Sequence, residues 1–118
     1  MIKMESEMLR LISSPDKDAF TEVVEALKAE CQKQGNERLF YTAWGNLSTY
    51  EATHQNYMLA EEIADKIAAY AEEQNSYWGN YVALHTKAVN ALQKQDYVIA
   101  EETFRKAVDF RHKYFPGE

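Results

Sequence analysis

Cysteine occurs once in these 118 residues, at position 31, so no disulfide can close within the chain and no cysteine cluster can hold zinc. A lone thiol with no His or Lys placed beside it by sequence reads as a buried structural residue. Four glycines and two prolines leave little material for the turns of a sheet protein. An excess of positive charge is missing too. Thirteen Lys and Arg stand against nineteen Asp and Glu, for a net charge of −6. That balance argues against a nucleic-acid partner, because phosphate binding needs a basic face. No apolar run approaches the length of a bilayer span, so no direct membrane insertion is expected. The opening stretch MIKMESEMLRLISS lacks the apolar core of a secretory leader. The compartment stays open: cytoplasmic if Met1 is the natural start, periplasmic if the chain is a sensing region excised from a longer protein.

What the chain does contain is helix-forming sequence. Leu, Ala, Glu, Lys and Gln dominate, and apolar residues recur at helical spacing with no strand alternation. Six helices are expected. The first covers about 2–12. The motif SSPD then predicts a start with Ser14 as N-cap, Pro15 at the first helical position, and Asp16 and Asp18 near the positive end of the dipole. That second helix runs to about Gln34 and stops at Gly35. Asn36 caps the third, to about Thr53. The fourth spans about 57–73, the fifth starts near Ser76 and reaches Gln93, and the sixth runs from Asp96 to about Tyr114, before Pro116 and Gly117. Connections this short make successive helices antiparallel neighbours.

The chain also repeats itself. NYMLAEEIADKIA at 56–68 returns as DYVIAEETFRKAV at 96–108. A shift of forty aligns Tyr41 with Tyr81, Ala43 with Ala83, Ala60 with Ala100 and Lys66 with Lys106. The third and fourth helices form one unit and the fifth and sixth another, so the divisions expected are 36–75 and 76–118, with 1–35 as a degenerate first pair. A fixed period of helix pairs predicts an all-α solenoid of three antiparallel pairs, in which each pair covers the apolar face its neighbour leaves open. Small residues such as Ala60 and Ala100 would let helices cross closely, with larger ones such as Phe104 filling the space one turn on.

At these residues the sequence resembles the tetratricopeptide repeat. WGNL supplies Trp44 and Leu47 of the first helix, and DYVIAEETFRKA supplies Asp96, Tyr97, Ala100, Phe104 and Ala107 of the turn and second helix. The likeness covers about 36–118 well and 1–35 loosely. There are departures: Lys87 stands for the expected Leu, Ala64 for the aromatic, and the period is 40 rather than 34. The extra residues fall after Ile67 and before Pro116, which predicts a longer second helix in each pair. The long repeats and the FRHKYFP ending are similar to repeat regions of sensor kinases of Bacteroidetes.

The resemblance implies a protein- or peptide-binding scaffold with no enzymatic activity. Its concave groove would be lined on one unit by Thr42, Gly45, Asn46, Thr49 and Thr53, and on the next by Val82, His85, Thr86, Val89 and Gln93. No cation falls on these positions, so a terminal-carboxylate clamp is not expected; a solvated inner face without a ligand is the alternative. A second functional reading is the ligand-sensing or dimerising input region of a bacterial signalling protein. Phe110, Tyr114 and Phe115 crowd the last helix, and read as an exposed edge for further repeats or for a homodimer through the C-terminal helix. The motif Glu51-x-x-His54 has di-iron spacing but stands alone. His85 and His112 have no patterned companions, and Glu61–Glu62 and Glu101–Glu102 read as first-turn charges favouring the helix dipole. No nucleophile–base pair, phosphate loop or metal set appears, so no catalytic residue and no cofactor is assigned.

Overall fold

The computed structural model describes residues 2–118. Six α-helices follow one another: α1 (Ile2–Leu11), α2 (Lys17–Gln34), α3 (Glu37–Thr53), α4 (Tyr57–Glu73), α5 (Tyr77–Gln93) and α6 (Tyr97–Tyr114). Each packs against the next, and α3 also packs against α5. That contact between helices two apart, with the first and last helices not packed together, is how stacked hairpins differ from a closed bundle. The molecule is an all-α, solenoid-like helical repeat.

Its regularity is finer than the forty-residue repeat. The N-cap residues are Asp16, Asn36, Asn56, Ser76 and Asp96, one every twenty positions. The residue before each of the last four is left-handed: Gly35 at φ 70°, Gln55 at 69°, Asn75 at 54° and Gln95 at 67°. Each turn closes by the same pair of bonds. The N–H of Asn36, Asn56, Ser76 and Asp96 donates to the carbonyl five residues back, at 2.8, 2.8, 2.8 and 2.9 Å. The same residue that ends one helix through its backbone therefore begins the next. Asn36 and Ser76 also cap with their side chains, accepting from Leu39 and Gly79. This fused stop and start fixes the pitch.

Two expectations about helix limits are corrected. Asp16, not Ser14, caps α2, its carboxylate accepting from the Ala19 N–H at 3.1 Å. The Ser14 hydroxyl is used one step earlier, accepting from the Asp16 N–H at 3.1 Å, so Pro15 lies in the turn ahead of the helix. The second helices do not take up the extra length alone. With caps every twenty residues, α3, α4 and α5 are all 17 residues long and α6 is 18.

The core fills the space between stacked pairs. Phe20, Val24, Leu27 and Cys31 of α2 are fully covered, and Phe20 stacks on Tyr50 of α3 at 4.5 Å. Ala60, Ala64, Ile67 and Ala71 form the buried stripe of α4. Ala60 and Ala100, the fourth residues of α4 and α6, are 0% and 3% exposed. The two alanines occupy like positions, as the stacking of pairs requires. Tyr97, which begins α6, points outward. Glu61–Glu62 and Glu101–Glu102 are the fifth and sixth residues of their helices, beyond the first turn. Their dipole role is thus corrected: Glu101 pairs with Arg105 at 2.6 Å and Glu61 approaches Lys94 at 3.9 Å, both in the open.

Candidate functional site

The contact between α3 and α5 builds a groove on one face of the stack. Gly45 permits the approach, since a Cβ there would stand 2.9 Å from Oγ1 of Thr86 and 3.2 Å from Cγ1 of Val82. Above that line of contact lies a hollow of about 370 Å³. Eight of the ten groove residues named from sequence border it: Thr42, Gly45, Asn46 and Thr49 from α3, with Val82, His85, Thr86 and Val89 from α5. Thr53 and Gln93 do not border it; both are exposed at the far ends of their helices.

Three further residues belong to the groove: Trp78 and Tyr81 at the start of α5, and Arg111 from α6. None of the ten positions named from sequence carries a cation, but Arg111 brings one to the groove from outside that set. Arg111 donates to the Tyr81 hydroxyl at 3.2 Å, and its guanidinium carbon lies 5.4 Å from the Trp78 ring centroid and 5.2 Å from that of Tyr81. It reaches the groove from the second helix of its pair, a face that a reading confined to first helices passes over. Its spacing from Ala107, four residues on, was the available signal.

The lining is otherwise neutral and rich in hydrogen-bonding groups. Thr42 and Asn46 bond back to their own helix, Thr42 donating to the Arg38 carbonyl at 2.8 Å and Asn46 to the Thr42 carbonyl at 3.1 Å. His85 packs edge-on to Phe104 at 5.6 Å. Burial lowers its pKa, and the nearby Arg111 charge adds to the effect, so the ring stays neutral to lower pH than usual. A neutral imidazole can both donate and accept here.

The terminal aromatics are not an open edge. Tyr114 stacks on Tyr77 at 4.3 Å, Phe110 lies 4.6 Å from Tyr114, and Phe115 meets Trp78 edge-on at 5.3 Å. The chain turns back after α6, and Glu118 takes both arms of the Arg38 guanidinium at 2.7 and 2.9 Å. Arg38 also lies 4.3 Å over Trp78. All three aromatics are thereby half-buried, and the exposed apolar residues of α6 are Tyr97, Val98, Ile99 and Val108.

The remaining candidates have other partners. Glu51 is buried and paired with the Lys17 ammonium at 2.9 Å, while His54 stacks on Tyr50 and sets Nδ1 2.8 Å from the Tyr50 carbonyl. Among the described residues, no three His, Cys, Asp or Glu side chains gather closely enough to hold a metal ion. No helix among them is long and apolar enough to cross a membrane. His112 is exposed. Cys31 is buried, which pushes its thiol pKa up and away from reactivity.

One buried polar cluster was not foreseen. Ser48 donates to the Ala60 carbonyl at 2.6 Å and accepts from the Asn90 amide at 2.8 Å, tying three helices together. The repeat offered a hint, because Asn90 stands where the preceding unit has Tyr50. Comparison with known proteins gives no matching family model, no matching curated protein and no matching solved structure.

Proposed function

We propose that the chain is a non-enzymatic binding module whose α3–α5 groove receives a peptide segment of another protein, as a long-period relative of the tetratricopeptide repeat. The observation that carries this reading is the groove itself: residues of two successive units, forty apart in sequence, share one concave hollow. Such a floor, made of small and hydroxyl-bearing side chains, suits the backbone of an extended segment or one face of a helix. Trp78 and Tyr81 offer flat apolar contact at one end, and Arg111 adds a positive charge there.

Selection from a random peptide library on the purified chain tests the reading. Peptides recovered should lose binding when Thr42→Arg and Thr49→Arg are introduced together, since both side chains border the hollow and neither lies in the buried core. Recovery of no binder, or binders indifferent to both changes, would contradict it.

A further inference from the structure

A second hollow, on the opposite end of the stack, has an internal counterpart. Between α4, α5 and α6 lies a space of about 460 Å³, and against α1 and α2 lies one of about 620 Å³. The two are the same site displaced by eighty residues. Leu84, Lys87 and Ala91 of α5 correspond to Met4, Glu7 and Leu11 of α1. Ile99, Thr103 and Lys106 of α6 correspond to Ala19, Val23 and Ala26 of α2. Asp96 and Asp16, and likewise Asn90 and Arg10, keep the same register.

The difference between them is a wall. In the later site α4 closes one side, presenting Glu61 and Asp65, and Asp65 pairs with Lys87 at 3.2 Å. At the earlier site no helix among the described residues stands in that place, and Met4, Leu11, Ala19 and Val23 line a hollow open on that side.

We infer that this place is filled by α6 of a second copy of the chain, so that copies stack head to tail and extend the line of hairpins. The argument is register and charge. Shifted by forty, Glu61 and Asp65 of α4 become Glu101 and Arg105 of α6. The pair Lys87–Asp65 inside one chain would be replaced by Glu7–Arg105 between chains. Both signs are reversed, so the attraction is kept. Val108 of α6, 51% exposed, stands where α4 carries the partly buried Ala68. Glu7 and Arg105 pair with neighbours on their own helices, Arg10 and Glu101, and exposed local pairs of that kind exchange at little cost. The contact joins unlike surfaces, so it propagates rather than closing on itself.

Sedimentation velocity over a concentration series tests this on the 118-residue chain and three variants: Glu7→Arg, Arg105→Glu, and both together. The expected result is mass growing past a dimer with concentration. Each single variant should weaken association by about tenfold or more, through like charges set face to face, and the double variant should regain it. Circular dichroism checks that all four stay helical. A monomer at every concentration would overturn the inference and assign the hollow to a preceding repeat or a different protein. A closed dimer insensitive to Glu7→Arg would overturn it too, pointing to symmetric pairing through α6.

Discussion

Gly79 of α5 lies flat against the ring of Tyr41 in α3. A Cβ at Gly79 would stand 2.6 Å from two ring carbons and 2.6 Å from the Cβ of Ala71 in α4. The glycine therefore marks the point where the third pair seats on the second. In an ordinary helix Gly→Ala gains about 1 kcal/mol. Here the clash should win, and Gly79→Ala should lower stability by about 1–3 kcal/mol in chemical denaturation. An increase in stability would mean the two pairs sit further apart than described.

Ala100 and Phe104 share the inner side of α6 but differ in the room around them. Ala100 is 3% exposed, while Phe104 is half-buried. Enlarging the first forces helices apart; trimming the second removes contacts at an edge. Ala100→Leu should cost about 1–3 kcal/mol and Phe104→Leu clearly less. Equal or reversed losses in thermal melts would count against close crossing at the alanine.

Three of the four repeated turns hold a non-glycine residue in the left-handed conformation. Gln55 and Gln95 have φ of 69° and 67°, nearly the 70° of Gly35. A side chain there costs roughly 1 kcal/mol against glycine in the folded state, part of it offset by the greater freedom of unfolded glycine. Gln55→Gly and Gln95→Gly should each stabilise the fold by about 0.5–1 kcal/mol. A destabilised variant would show that the side chain contributes more than its backbone strain removes.

His85, exposed on its groove side and covered on the other by Phe104, should give the stack a small pH dependence. Its folded pKa is lowered, mainly by burial, from the ordinary value of 6.5. The unfolded chain therefore takes up the proton first, and its uptake favours unfolding. Stability should be fully present above that value and decline as pH falls through and below it. His85→Gln should flatten this part of the profile. A wild-type profile unchanged between about pH 8 and pH 5.5 would contradict a partly desolvated ring.

The fold was legible because its signal is redundant. Asn36, Ser76 and Gly35 announce helix ends by type, and the alignment of Ala60 with Ala100 places two crossings at once. Ser14 misled because two acceptors, Ser14 and Asp16, compete within three residues, and only the turn shows which one faces the free N–H groups. The twenty-residue ladder was hidden by its chemistry: Asp, Asn, Asn, Ser and Asp fill one role with three residue types. Eight groove positions followed from the resemblance to the tetratricopeptide repeat. Arg111 and the burial of Phe110, Tyr114 and Phe115 did not, since both depend on where α6 and the chain after it fold back, which Arg38 and Trp78 decide from other helices.

The central claim is that hairpins forty residues apart are related by one repeated step. Asp18, Met58 and Val98 are exposed and occupy the same position in three successive second helices. Spin labels placed pairwise at these sites, with Cys31→Ala to remove the native thiol, report that step directly by pulsed electron resonance. The account predicts closely matching distances for 18–58 and 58–98, and a longer one for 18–98. Unequal first distances, or a third no longer than the others, would describe a closed bundle and contradict the stack.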